Sequence, residues 1–237
     1  STDFDISDRL YVEPLDSESV LDIIDNENDT GIKKQKDKIP SIVQFGGQTA
    51  INLSQILDQT NNPILGSSAL SIDTASDRHL FEEFLSKTGV PNPPGGTVLT
   101  VEESIDIANK LGYPVLVRPS YVLGGRAMEI VHNDTELVNY MEKAIEAGSG
   151  KRILIDKYFE GREVEVDAIC DGDNILIPGI MEHVERAGVH SGDSMAIYPA
   201  LTLSDEEVNT IVDYTETIGK SLNIKGLMNI QYVVVGG

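Results

Sequence analysis

The clearest pattern of apolar and polar positions along the chain lies between residues 97 and 155. Short apolar runs alternate there with stretches of helical length, and Thr100 and Glu103 have the spacing of a capping box at a helix start. The stretch at 91–96, just before this unit, is rich in proline and glycine. We therefore expect a lid-like subdomain that hinges on 91–96 and 156–161. The pattern predicts strands at 97–99, 115–117, 127–131 and 153–155, and helices at 100–111 and from 134 onward.

The residues before this unit alternate between strand and helix patterns. Ser41–Phe45 is a predicted strand that Gly46 and Gly47 turn into a helix, and Pro63–Leu65 is the next predicted strand. Such alternation is typical of a parallel sheet. Glycines before a helix can hold phosphate, but we interpret this pair as a tight turn. Residues 26–38 are charged and have no pattern, which predicts an exposed loop.

The residues after the unit return to alternation. Glu163–Ala168 has the period of a half-buried strand, and Ser204 with Glu207 predicts a second capping box before a helix. Further strands are predicted at 175–177, 179–184 and 227–235. Together the patterns predict an α/β fold, and 237 residues suffice for one large domain or two small ones.

Composition narrows the class of protein. The chain has 237 residues, 40% of them hydrophobic, and a formal net charge of −21. Such an acidic balance argues against binding to nucleic acid, and no apolar run approaches the roughly 20 residues of a membrane span. Cys170, the single cysteine, lies in a strand pattern and is expected to be a small buried residue. These features fit a reducing, cytoplasmic setting.

One loop has the chemistry of an anion site. Arg118 follows the apolar strand 115–117, Arg126 precedes the return strand, and Gly124 and Gly125 lie between them with no acidic residue in the interval. Open backbone amides and two guanidinium groups suit a polyphosphate. The alternative is a β-hairpin with a long tip and two surface arginines. The chain has no Walker A motif.

Long runs of residues resemble a known family. They are RPSYVLGGRAMEI (118–130), DFDISDRLYVEP (3–14), VQFGGQTAINL (43–53), EVEVDAICDG (163–172), IMEHVERAGVHSGDS (180–194) and GLMNIQ (226–231). In order and spacing, these runs look like the C-terminal ATP-grasp half of the carbamoyl phosphate synthetase large subunit. The resemblance implies a partial Rossmann-like pre-ATP-grasp domain at 1–75 and an ATP-grasp domain at 76–237, with its lid at 97–155. It also implies that both domains are incomplete at the chain ends.

The resemblance implies an activity and partners. This half would use ATP to phosphorylate carbamate, within a glutamine-hydrolysing synthesis of carbamoyl phosphate for arginine and pyrimidine biosynthesis. The partners would be a glutaminase small subunit and the N-terminal half of the large subunit, and the cofactors ATP with Mg²⁺ or Mn²⁺. We expect the 237 residues alone to be inactive, because the main metal carboxylate of the family would lie beyond Gly237. The alternatives are a nucleotide-binding module without turnover and another ATP-grasp ligase, such as a biotin carboxylase.

The same resemblance assigns the site residues. Arg118 and Arg126 would hold the phosphates, and the acceptor-only carboxylate of Glu163 suits the ribose hydroxyls, although it could equally be an outward strand carboxylate. Backbone groups at Lys157–Phe159 would read the adenine edge, with Phe159 covering its face. The segment 188–191 could otherwise be a plain polar loop. The full set of implied nucleotide contacts is Arg78, Arg118, Gly124, Gly125, Lys157, Phe159, Glu163, Gly188, Val189, His190, Ser191 and Gln231, with Gln231 also the metal contact.

Overall fold

The structure, a computed structural model, describes residues 6–30, 38–119, 128–148, 152–188 and 194–236. They fall into two compact units. One unit combines the residues up to 84 with 170–174 and 219–226, and the other holds 85–169, 175–218 and the residues from 227 onward. Helices and sheets both contribute, so the predicted α/β class is confirmed.

The first unit is mainly helical. Its core consists of Ile24, Val43, Leu53 and Leu57, which are all buried. Ser68 caps one helix by accepting the Ser71 amide. Its helices are α1 (Ser17–Thr30), α2 (Gly47–Ile51), α3 (Ser54–Gln59) and α4 (Ala69–Ser76); α5 (Arg78–Thr88) begins in this unit, and a 3-10 turn lies at Gln44–Gly46.

Two predictions for this unit are wrong. The expected strand Ser41–Phe45 is reduced to one parallel bridge between Ser41 and Ile64. The chain forms a 3-10 turn at Gln44–Gly46 instead, and Gly47, with a φ of 64°, begins the next helix. The loop predicted from residue 26 begins later, since α1 runs to Thr30; residues 31–37 lie outside the described ranges.

The lid-like subdomain has the predicted four strands and two helices. Strands β1 (Gly95–Val98), β2 (Val115–Pro119), β3 (Glu129–Val131) and β4 (Ile153–Lys157) form an antiparallel sheet in the order β1-β4-β2-β3. Helices α6 (Val101–Leu111) and α7 (Asp134–Gly148) pack on it. The capping box of Thr100 and Glu103 is formed, and Gly112, at φ 73°, ends α6. Val115, Val117, Val131, Leu137, Met141 and Ile155 are fully buried in the core.

The predicted hinges overlap this sheet. Gly95 and Gly96, expected in the linker, belong to β1, where they pair with Asp156 and Ile155. Without side chains, the two glycines fit extended backbone beside α6, and a Cβ on Gly96 would lie 2.8 Å from Ile107. The part of the predicted linker that lies outside β1 is therefore 91–94.

A second, five-stranded sheet forms the body of the other unit. Strands β5 (Arg162–Asp171), β6 (Ile175–Leu176), β7 (Ile180–Arg186) and β8 (Ala196–Ile197) lie in the order β6-β5-β7-β8, and β9 (Lys225–Val234) pairs with β5. Helix α8 (Asp205–Ser221) opens with the predicted capping box of Ser204 and Glu207. Val164, Val166 and Ile180 pack against Ile211 of this helix. Cys170 is buried, as predicted.

Within the described ranges, no helix is both long and apolar enough to cross a bilayer.

We expect the lid core to depend on its buried leucine. Leu137→Ala should lower the free energy of unfolding by about 2–5 kcal/mol, because Leu137 is 0% exposed and its loss leaves a cavity. Urea unfolding measures the change, and Leu99→Ala is the matched control, since Leu99 is 48% exposed. Equal losses in the two variants would contradict this core.

Candidate functional site

The second sheet has one apolar face and one polar face. The apolar positions of β5, β7 and β9 pack on α8, so alternation sends their neighbours to the opposite side. This polar face carries Glu163, Glu165 and Asp167 on β5, Met181, His183 and Glu185 on β7, and Asn229 and Gln231 on β9.

A buried histidine lies at the centre of the polar face. The side chain of His183 is only 2% exposed, and its Nε2 lies 3.0 Å from Glu165 Oε2. Because a carboxylate only accepts, Nε2 carries a proton. The other ring nitrogen, Nδ1, lies 2.7 Å from Ser194 Oγ and 3.9 Å from Glu163 Oε1.

The network continues onto β9. The Asn229 Nδ2 group donates to Glu165 at 2.7 Å and to Asp167 at 2.8 Å. A continuous chain of hydrogen bonds therefore crosses three strands, from Ser194 through His183 to Asp167. Sequence analysis assigned no role to these residues. The sequence signal for this network is a set of polar residues at alternate positions of three strands. Which of these residues contact one another depends on the register of the strands.

Two predicted site residues meet on this face. Glu163 is 8% exposed, and it accepts a hydrogen bond from the backbone amide of Gly188 at 3.3 Å. It is therefore not an outward strand carboxylate. Gly188 has a φ of 100°, and a Cβ there would lie 3.3 Å from the Tyr158 ring. Val189, His190 and Ser191, the rest of the predicted segment, lie outside the described residues.

The end of β4 carries the next predicted contacts. Lys157 Nζ donates to the backbone oxygens of Gly112 at 2.7 Å and Tyr113 at 3.2 Å, so this ammonium group is held by the lid. Phe159 is half-buried just beyond β4. The Lys157 amide donates to Pro94 O at 2.8 Å.

Arg118 occupies the end of β2. Its side chain is 47% exposed, and a guanidinium nitrogen lies 3.7 Å from Asp156 Oδ2, on the neighbouring strand. With respect to the described residues, this guanidinium has one long ion pair, and an exposed guanidinium can bind an anion through its N–H donors. Gly124, Gly125 and Arg126, which complete the predicted phosphate loop, lie outside the described residues.

Two predicted site residues remain, Arg78 on α5 and Gln231 on β9. Arg78 begins α5 in the first unit, where its Nε lies 2.6 Å from Glu82 Oε1. Gln231 is exposed on the polar face, two positions after Asn229 on β9. Within the described ranges, no three His, Cys, Asp or Glu side chains gather as metal ligands, so a metal at Gln231 stays a prediction.

A carboxylate supports the sheet from its other face. Glu182 is 6% exposed and accepts the amides of Leu201 and Thr202, each at 3.0 Å, as well as the Thr202 hydroxyl. Burial alone would raise the pKa of Glu182, but these hydrogen bonds and the charge of Arg162 lower it below its ordinary value. The charged form is thus part of the folded state.

Comparison with known proteins identifies the family. The family model described as the carbamoyl-phosphate synthase L chain, ATP binding domain, matches residues 77–236. The chain belongs to the carbamoyl-phosphate synthase large-chain family. The model of the preATP-grasp domain of carbamoyl phosphate synthase matches residues 1–74.

Curated relatives agree with this carbamoyl-phosphate synthase assignment. The chain is 55% identical over its whole length to a carbamoyl phosphate synthase large chain of Thermomicrobium roseum, and 54% identical to one of Caldanaerobacter subterraneus subsp. tengcongensis. It spans 22% and 21% of those two proteins, about a fifth of their length.

Solved structures confirm the ATP-grasp fold. The biotin carboxylase domain of Hydrogenobacter thermophilus 2-oxoglutarate carboxylase, in complex with MgADP, ADP and bicarbonate, matches with a TM-score of 0.70 and 22% identity, over 95% of this chain and 50% of that one. A D-alanine–D-alanine ligase of Bacillus anthracis complexed with ATP matches with a TM-score of 0.64 and 21% identity, over 90% of this chain and 67% of that one. At these identities the matches show the fold alone.

The depressed pKa of Glu182 predicts a pH-dependent stability. Since its folded-state pKa lies below the unfolded value, ionised Glu182 stabilises the fold above about pH 4.5, and this contribution is lost as the pH falls through the folded-state pKa. At pH 7, Glu182→Gln should cost about 1–3 kcal/mol, measured by urea unfolding. The difference from the native protein should shrink below pH 4.5. A difference independent of pH would contradict the assignment, and Glu206→Gln, at an exposed position of α8, is the control.

Proposed function

We propose that, as part of a large chain of the relatives' length, this chain binds ATP on the polar face of its second sheet and helps transfer the γ-phosphoryl group to carbamate. The observation that carries the proposal is the contact between Glu163 and Gly188, because it unites two separately predicted nucleotide contacts on one face. The family, whose model is described as an ATP binding domain, supports the same ligand. Identity of 54–55% to carbamoyl phosphate synthase large chains supports the reaction.

The proposed roles follow the described positions. Arg118, with Arg126 and the Gly124 and Gly125 amides, would neutralise the phosphates. Backbone groups at 157–159 would read the adenine, with Phe159 on its face. The ribose would lie at Glu163, whose carboxylate accepts hydroxyl donors. The remaining proposed contacts are Arg78, Lys157, Gly188, Val189, His190, Ser191 and Gln231.

The chemistry needs little from protein side chains beyond position and charge. A carbamate oxygen attacks the γ-phosphorus, the bond to the β-phosphate oxygen breaks, and ADP leaves with carbamoyl phosphate as the other product. Holding the two reactants in line lowers the entropic part of the barrier. Arg118 would stabilise the negative charge that develops on the phosphoryl group during transfer. No nucleophilic side chain is required.

A magnesium ion fits this face only in part. Gln231 offers an amide oxygen, which is an acceptable hard ligand, but the described residues provide no carboxylate cluster beside it. We propose that Mg²⁺, or Mn²⁺, enters with the nucleotide, whose phosphates supply further oxygen ligands, and contacts Gln231. When bound, the ion would neutralise phosphate charge.

The wider setting is part of the same proposal. We propose two functional parts, a pre-ATP-grasp domain at 1–75 and an ATP-grasp domain at 76–237 with its lid at 97–155. The partners would be a glutaminase small subunit and an N-terminal half of the large chain, in the cytoplasm. A biotin carboxylase is disfavoured, since that likeness rests on 22–23% identity and on fold alone.

The assignment of Arg118 gives a direct test. In a large chain of the length of the relatives, Arg118→Ala should reduce ATP synthesis from ADP and carbamoyl phosphate at least tenfold in kcat/KM, about 1.4 kcal/mol, because charge-assisted bonds to phosphate are lost. Lys110→Ala removes an exposed lid cation of α6 and is the control.

Two results would count against the proposal. Unchanged kinetics in Arg118→Ala would remove Arg118 from the site. Nucleotide binding by the native large chain with no ATP formed would instead favour the alternative of a binding module without turnover.

A further inference from the structure

The peptide group between Ala187 and Gly188 is held from both sides. Its carbonyl oxygen, on Ala187, accepts the hydroxyl of Tyr158 at 2.9 Å. Its N–H, on Gly188, donates to Glu163 at 3.3 Å. Both bonds come from the segment 158–163, which also accepts the Ala187 amide at Gly161 O, 3.2 Å away. The position of Gly188 is therefore set by the segment 158–163, which follows β4 and runs into the start of β5.

Tyr158 is tied to the lid as well. Its own amide donates to Pro114 O at 3.2 Å, just before β2. Its ring lies against Gly188, 3.3 Å from the place of a Cβ, and Ile130 of β3 lies at 3.5 Å from the same point. Tyr158 thus contacts Pro114, just before β2, through its backbone, and Ala187 and Gly188 through its side chain.

The two bonds to the peptide group act together. A peptide plane is rigid, so rotation about it moves the carbonyl and the N–H at the same time. Gly188, with a φ of 100°, is in a region where glycine has unusual backbone freedom. Without the Tyr158 hydroxyl, this peptide plane would be held only by the bond from its N–H to Glu163, and it would turn more easily.

We propose that Tyr158 is a positioning residue for the nucleotide. Its hydroxyl fixes the distance between the base-reading segment 157–159 and Gly188, so that both can contact one ligand. The inference rests on the proposed function, since it assigns segment 157–159 and Gly188 to one nucleotide. It adds a residue that touches neither phosphate nor metal.

The test is Tyr158→Phe, which keeps the ring on Gly188 and removes only the hydroxyl. Tyr198→Phe is the matched control, because the Tyr198 hydroxyl also donates to a backbone oxygen, that of Pro178, at 2.8 Å. In a large chain of the relatives' length, Tyr158→Phe should raise the KM for ADP in ATP synthesis about threefold to tenfold, in line with one neutral hydrogen bond, with kcat changed less than about twofold. Without nucleotide, the Gly188 amide should exchange its hydrogen several-fold faster.

The following results would overturn the positioning role of Tyr158. A KM and a Gly188 exchange rate equal to those of Tyr198→Phe would overturn the proposal. A fall in kcat and melting temperature without a specific rise in KM would show a structural role, and also overturn it. If the native protein binds no nucleotide, the proposed function fails. If the Gly188 amide exchanges at the same rate in Tyr158→Phe as in the native protein, the link between the Tyr158 hydroxyl and Gly188 fails, whatever the result for nucleotide binding.

Discussion

The packing of β5 and β9 on α8 is the constraint on which the candidate site depends. Once Val164, Val166 and Tyr232 are committed to that core, the pleat sends the residues between them to the other side of the sheet. A shift of one residue in register would bury Glu165 against the helix and expose the valines. Burial of the apolar face on α8 therefore decides which residues lie on the polar face. The positions of Glu163, His183 and Asn229 follow from it.

The second constraint is charge. The chain has a formal net charge of −21, yet three carboxylates of the described part of the second sheet accept hydrogen bonds. Glu163 takes the Gly188 amide, Glu165 takes His183 and Asn229, and Glu182 takes Thr202 and Leu201. On the polar face, Glu163 and Glu165 already accept hydrogen bonds, and the lid adds Arg118 as an exposed cation. In this arrangement an acidic protein can accept a polyphosphate, because positive charge is local and the acidic groups are already paired.

Sequence patterns predicted the parts of the fold that local signals determine. The lid strands and helices, both capping boxes, and the burial of Cys170 were of this kind. The strand Ser41–Phe45 failed, because a short apolar run before two glycines suits a 3-10 turn as well as a strand. Helix α4 was missed, although Ser68 provides its cap. Glu163 and Gly188 were predicted singly, but their contact joins residues 25 positions apart and required the fold. The His183 network was missed for the same reason, since it depends on the pairing of β5 with β7 and β9.

The central claim is that the polar face of the second sheet, together with Arg118, forms one nucleotide site. A crystal structure of a large chain that carries these residues, with Mg²⁺ and a non-hydrolysable ATP analogue, tests it most directly. The account predicts the adenine against the backbone of 157–159, the ribose hydroxyls at Glu163 and the phosphates at Arg118. A nucleotide bound to this domain away from Glu163 and Arg118, with the polar face free of ligand contacts, would contradict it.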